Sequence, residues 1–419
     1  MVTSTPSQSE FLERLGFTTN PFQFTNADEE AKLPEYFVPP PYFASVYGDP
    51  AQPSSCIVFA PRGAGKSAQR KMVESSAPHD TVLCITYDSF RNPRGAALTD
   101  MTIEDHQLNL ARRVLVGILT WLQQHKDRAG RLTPEEKSAL RALATARLTS
   151  ATRAELQVAL DSLRNLPVRA KEFWNDNHWV LDAVLSSVNI AAGGPGSGRL
   201  PDAPVDEVVA DALMVDFDSL AKIASKIGIS AVYILIDRID ETAETNVQAE
   251  AAYKLIRGLI HDLKVLEQRP FAYKFFVPDY IGPFYQRDGG RSDRIRAYET
   301  QWKNDELISM LNRRLKAHSA GRVDSITDLL PTTYPAGAKA NLRHMALLFA
   351  NHSPRDLIRI WGRVVDEQLR RDPTASALDR EAILDGIDVF CFERADELAT
   401  PGVVRALTRV GRVDFTVTE

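Results

Sequence analysis

Cys56-Ile57-Val58-Phe59-Ala60-Pro61-Arg62-Gly63-Ala64-Gly65-Lys66-Ser67 is the stretch on which the fold turns. Its four leading apolar residues, bounded by Ser54-Ser55 and a Pro-Arg-Gly turn, read as a buried strand. A helix is expected from about Lys66 to Ser75. Between them, two glycines let backbone N–H groups turn inward around an anion at a helix start, where the dipole also favours negative charge. Lys66 is placed to reach the β- and γ-phosphates of a nucleotide, and the Ser67 hydroxyl to meet Mg²⁺. Ala60 stands where the G-x-x-x-x-G-K-[ST] pattern has its first glycine, a strand-end position that needs little φ freedom. A plain turn with a helix cap would not require Gly-Lys-Ser at this register. The expected nucleotide-binding set is Pro61, Arg62, Gly63, Ala64, Gly65, Lys66, Ser67 and Ala68.

Outward from this loop, Thr81–Tyr87 reads as a second strand, which makes one strand–helix–strand unit of a parallel sheet. Ala231–Ile236 reads as a third, Phe271–Val277 as a fourth after a helix over 247–267, and Ile295–Tyr298 as a short fifth. The expected class is α/β, a P-loop parallel-sheet core with a large helical insertion and a C-terminal all-helical lid. Residues 1–19 read as a flexible tail, 20–90 as the first part of the core, 91–227 as the insertion, 228–303 as the second part of the core, and 304–419 as lid and tail. Tyr36 to Phe43, aromatics set among prolines, reads as a rigid collar rather than helix. Insertion helices are expected over Leu108–Gln124, from Thr133-Pro134 onward, over 152–164, 168–189 and 205–227, with Gly193 to Gly198 a linker. Lid helices are expected over 304–318, 338–350, 354–371 and 379–395.

The third strand closes Leu235-Ile236-Asp237-Arg238-Ile239-Asp240-Glu241. An apolar strand ending in aspartate is the usual partner of a phosphate loop, because that carboxylate faces the metal through water; Asp237 is therefore the expected metal-side residue beside Ser67. The following position, where many nucleotide hydrolases carry a glutamate base, is Arg238. The acids come instead at Asp240 and Glu241, and Asp240 is favoured as the group that polarises water. Glu241 and Glu244 also suit an acidic helix start.

With both motifs in view, the chain resembles the AAA+/STAND branch of P-loop ATPases, nearest to bacterial Orc/Cdc6-like ATPases. The stretches that carry the likeness are Asn20-Pro21-Phe22, Tyr36 to Phe43, Ala60 to Ala68, the strand end Asp237 to Glu241, which is like the NACHT acidic motif, and Ser353-Pro354-Arg355-Asp356-Leu357-Ile358-Arg359, which looks like the sensor-2 motif of a lid. Tyr298 to Leu315 is similar to the join between core and lid. The resemblance implies ATP and Mg²⁺ as cofactors, Arg355 as a γ-phosphate contact, and Arg291 or Arg294 as the arginine finger of a homo-oligomer. Asp279 is only a positional candidate for sensor 1. It further implies an ATP-driven switch with regulatory or defence output passed to a protein partner. The alternatives are a DNA-loading factor and a nucleotide-bound scaffold with little turnover. Adenine is implied by the resemblance alone.

Composition bounds these readings. The 419 residues point to two or three domains. No segment approaches the roughly 18 apolar residues of a membrane span, and the polar, acidic start lacks the pattern of a secretory leader, so the cytoplasm is expected. Three separated cysteines argue against a disulfide framework or a zinc site. The net charge of −5 excludes a general nucleic-acid coat. Residues 91–171 nevertheless hold fourteen Lys/Arg against eight Asp/Glu. There Arg112, Arg113, Lys126, Arg128, Arg131, Arg141 and Arg147 could meet DNA phosphates or an acidic partner. The 48 residues after the last sensor-2 helix are too few for a winged helix beside helix 379–395.

Overall fold

The computed structural model describes residues 7–148, 151, 153–164, 210–246 and 248–398. The helix expected over 168–189, the glycine linker 193–198 and the first residues of helix 205–227 lie outside that set. The chain packs as two units: a sheet unit of Pro39–Pro61 and Gln69–Thr300, and a helical unit of the residues up to Val38, Arg62–Ala68 and Gln301 onward.

In the sheet unit, five strands form one parallel sheet: β1 Cys56–Ala60, β2 Val82–Tyr87, β3 Ala231–Ile236, β4 Phe271–Pro278 and β5 Arg296–Glu299, in the order β2-β3-β4-β1-β5. β1, β3 and β4 are buried along their whole length, as a parallel sheet covered on both faces requires. Alternate residues divide between the faces. Ile57, Ile85, Ile234 and Phe275 pack with Leu115, Leu220 and Leu255 of the helices Ile103–Gln124, Ala210–Ile227 and Ala249–His261. Val58, Tyr233 and Phe276 pack with Val46 and with Val73 of the helix Lys66–Ser76. Each such aliphatic or aromatic side chain contributes roughly 1.5–3 kcal/mol by leaving water.

Right-handed crossovers explain the division. The connection β1 to β2 runs across the sheet in one sense, and β2 to β3 to β4 runs in the other, so their helices cover opposite faces. The reversal falls between β1 and β4, the place in an open α/β sheet where ligands gather outside the strand C-termini.

Two expectations change in these elements. The helix predicted over 247–267 stops at His261, and Asp262 caps a separate turn Leu263–Leu266 by accepting from Val265 N–H at 3.0 Å. The collar is non-helical over 37–42, as expected, and its end residues Tyr36 and Phe43 belong to the flanking short helices Leu33–Tyr36 and Phe43–Tyr47. The helix expected from Leu108 begins at Ile103, capped by Thr102, and is buried on every side.

In the helical unit, Asn304–His318, Ala336–Ala350, Pro354–Arg371 and Arg380–Leu398 match the expected lid helices. The flexible tail expected over 1–19 is overturned for its described part. Ser7 and Glu10 form a reciprocal capping box, and Gln8–Arg14 is a helix with Phe11 and Leu12 buried. Phe11, Leu15 and Phe17 share a core with Leu307, Leu311 and Trp361. Arg314, 2% exposed, ties the following segment down. It pairs with Glu30 at 2.5 Å and donates to the carbonyls of Pro21 and Phe24 and to the Tyr36 hydroxyl. No helix among the described residues is long and apolar enough to cross a membrane.

Candidate functional site

The loop after β1 is shaped by its carbonyls. Gly63 (φ +86°) and Gly65 (φ +89°) adopt the left-handed region that glycine enters freely. Gly63 C=O accepts from the Arg355 backbone N–H at 3.4 Å, and Ala64 C=O accepts from the Trp302 indole N–H at 2.9 Å. His352 Nδ1 lies 2.8 Å from Trp302 C=O, which can only accept, so this nitrogen carries the proton. In a trans peptide the C=O of one residue and the N–H of the next point in opposite directions. Pinning the Gly63 and Ala64 carbonyls therefore aims the Ala64 and Gly65 N–H groups the other way, the orientation an anion-binding turn needs. Lys66 and Ser67 open the helix Lys66–Ser76 directly after it, both half-buried. The cradle therefore fits a phosphate.

Arg355 reaches this loop because of how its helix starts. Asn351 and His352 turn through positive φ, Ser353 caps by accepting from Asp356 N–H at 3.2 Å, and Pro354 fills the first turn. A Cβ on Gly63 would stand 2.6 Å from Ser353 Oγ and 3.3 Å from Arg355 Cβ. Behind the cap, burial raises the Asp356 carboxyl above its ordinary range while Arg394 and Arg359 pull it down. Arg359 and Arg394 also pair with Glu397, at 2.7 and 3.0 Å.

In the sheet unit, β3 delivers Asp237 at 1% exposure. Its Oδ2 accepts from Arg70 Nε at 3.1 Å and its Oδ1 from the Arg238 N–H at 2.9 Å. Arg70, fully buried, also pairs with Glu74 at 3.1 Å, and the Thr86 hydroxyl donates to Glu74 at 3.4 Å. Arg238 takes a left-handed φ of +58° and lies 3.6 Å from Glu241. This sharp turn sends the two acids apart: Asp240 is 5% exposed with Oδ1 lacking any partner, while Glu241 is exposed. No helix starts at Glu241 or Glu244, since the next begins at Ala249; Glu244 instead accepts from Leu98 N–H at 2.6 Å.

The other arginines are engaged locally. Arg291 grips Asp293 through two bonds of 2.8 and 2.7 Å, and Arg294 pairs with Glu267 at 2.5 Å, all four side chains being exposed. Asp279 is exposed after β4. The basic insertion is less available to phosphates than its letters suggest. Arg112 is buried against Glu155 at 2.7 Å, Arg113 lies over the Tyr87 ring and donates to Ser89 C=O, and Arg147 pairs with Asp216. Lys126 and Arg131 remain exposed.

Two neighbours of these candidate residues escape motif reading. Arg70 stands four residues from both Lys66 and Glu74, a spacing that on a helix reads as an ordinary surface pair. Trp302 was visible only as part of a core–lid join. Among the described residues no group of three His, Cys, Asp or Glu could cage a metal. A scan against protein-family models finds no match to this chain, and a search of curated proteins finds none.

Proposed function

We propose that the chain is a Mg²⁺-ATP-binding and hydrolysing switch of the AAA+/STAND type, acting through a protein partner. One observation carries the reading: a Gly-Ala-Gly-Lys-Ser loop between a buried parallel strand and a helix, with both glycines at positive φ and its carbonyls held by the Arg355 helix start and Trp302. In this reading the N–H groups from Gly63 to Ser67 and the Lys66 ammonium bind phosphate oxygens, and the Arg355 guanidinium adds charge at the γ-phosphate. Ser67 and Asp237 would hold Mg²⁺, which would neutralise phosphate charge when bound. A metal of this kind keeps most of its waters and needs only one or two protein ligands. Asp240, buried with one carboxylate oxygen lacking a partner, is the acceptor that orients water, and Glu241 is the second choice. Arg291 and Arg294 are the finger candidates, each exchanging its exposed local acid for a phosphate on a neighbouring copy. Such exposed pairs contribute only about 0–1 kcal/mol, so the exchange is cheap.

Purified protein with its bound nucleotide identified, followed by turnover of the native chain, Lys66→Ala and Asp240→Ala, tests this. Loss of nucleotide in Lys66→Ala and loss of turnover in Asp240→Ala are expected. Equal, background turnover in all three removes the hydrolase claim.

A second reading, a nucleotide-bound scaffold with little turnover, is favoured by one feature. The position after Asp237 is an arginine in a left-handed turn, paired with Glu241. Nucleotide retained through purification without turnover would select it.

A further inference from the structure

We propose that the outer edge of β2 is a binding site for a small carboxamide- or lactam-bearing molecule. Among the described strands β2 lies at an edge of the sheet, and edges expose unpaired backbone groups. The Val82 N–H is taken by Pro78 C=O at 2.8 Å and the Thr86 N–H by Ser162 C=O at 2.9 Å, both away from β3. The carbonyls of Thr81 and Tyr87 face the other way and accept from Ser230 and Asp237 N–H. The two-residue period of a strand then turns the Cys84 N–H and C=O to the open side, between the two closed positions.

At this point lies a cavity of about 230 Å³ lined by Glu74, Leu83, Cys84, Thr120, Trp121 and Leu163 among others. At ~30 Å³ per water it has room for about seven waters, or one small ring with a polar substituent.

The wall therefore offers the Cys84 N–H and C=O beside an apolar surface of Leu83 and Leu163. An amide supplies the matching pair, a carbonyl for the Cys84 N–H and an N–H for the Cys84 C=O, together with an apolar body. A peptide adding as a strand would need several successive open residues, and Pro78 and Ser162 close the edge on both sides of Cys84. The site belongs to the sheet unit alone and is independent of the nucleotide reading.

Ligand-observed saturation-transfer titration of the full chain with benzamide, benzoate and toluene tests the site. Saturable benzamide binding is expected, with benzoate and toluene weaker by about tenfold or more, since benzoate has no N–H and meets Glu74, and toluene has no polar group. Cys84→Trp, which fills the cavity, should lower benzamide affinity by about tenfold or more, whereas Cys84→Ser should bind as the native chain does. Absence of saturable benzamide binding, equal binding of the three probes, or a folded Cys84→Trp chain that binds like the native one would overturn the assignment. Should Cys84→Trp fail to fold, the comparison of probes on the native chain decides.

Discussion

Replacing Gly63 by alanine tests the packing on which the phosphate cradle rests. The residue sits at φ +86°, and a left-handed backbone costs a residue with a Cβ about 1–2 kcal/mol. The new methyl would stand 2.6 Å from Ser353 Oγ, so the serine must rotate and release Asp356 N–H. Losing such an N-cap costs about 1 kcal/mol. Gly63→Ala should therefore destabilise the helical unit by about 2–3 kcal/mol. Ser353→Ala removes the oxygen that is struck. In that background Gly63→Ala should cost only the backbone part, leaving a coupling of about 1 kcal/mol in a double-mutant cycle. Urea unfolding followed by tryptophan fluorescence is the assay, because the Trp302 indole N–H bonds Ala64 C=O. An identical cost in both backgrounds, or a cost under about 0.5 kcal/mol, would refute the contact between the loop and the helix cap.

Further outcomes follow from the same geometry. Arg70→Met takes the Arg70 guanidinium away from the buried Asp237 and Glu74 carboxylates and should cost about 3–5 kcal/mol, whereas Ser76→Ala at the exposed end of the same helix should be near neutral in the same urea assay. Burial holds the His106 imidazole down at about 4, while it contacts Tyr87 Oη at 2.8 Å and Leu255 C=O at 2.7 Å. With the folded value below the unfolded 6.5, stability is complete above pH 6.5 and is lost as pH falls from 6.5 toward 4, by about 3 kcal/mol in all. His106→Gln should flatten that part of the stability-against-pH curve, and an unchanged slope would contradict it. Arg113→Gln should lower thermal stability. If duplex DNA is bound at low salt, Lys126→Glu with Arg131→Glu should reduce the salt slope by about 2. DNA affinity that depends on Arg113 with stability intact would contradict the inward placement.

The phosphate loop and the strands were legible because each has a local signature. Glycines at fixed offsets answer a backbone need, and runs such as Tyr233 to Ile236 have no polar residue to face water. The helix Gln8–Arg14 carried its signature too, Ser7 and Glu10 ahead of Phe11-Leu12, but a short apolar pair near a polar start reads as tail until Leu307 and Trp361 complete its core. Arginine defeated the charge reading. A letter that is mostly solvent-exposed reads as surface at positions 112 and 113 and draws no reading at 70, yet Arg70, Arg112 and Arg113 are buried by Asp237, Glu155 and Tyr87, all distant in sequence. Pairing across 167 residues leaves no periodicity to detect. The split of Asp240 from Glu241 likewise depends on the left-handed turn at Arg238, a conformation the identity of an arginine does not announce.

The carbonyl contacts of the loop have a thermodynamic corollary. Gly63 and Ala64 are held by Arg355 and Trp302, so the cradle exists only while the helical unit is folded there. Whatever anion the cradle takes must then protect that unit in proportion to ln(1 + [L]/Kd). Limited proteolysis between Trp302 and Arg371 should slow when the ligand is present, and a chain opened in that span should bind it less tightly.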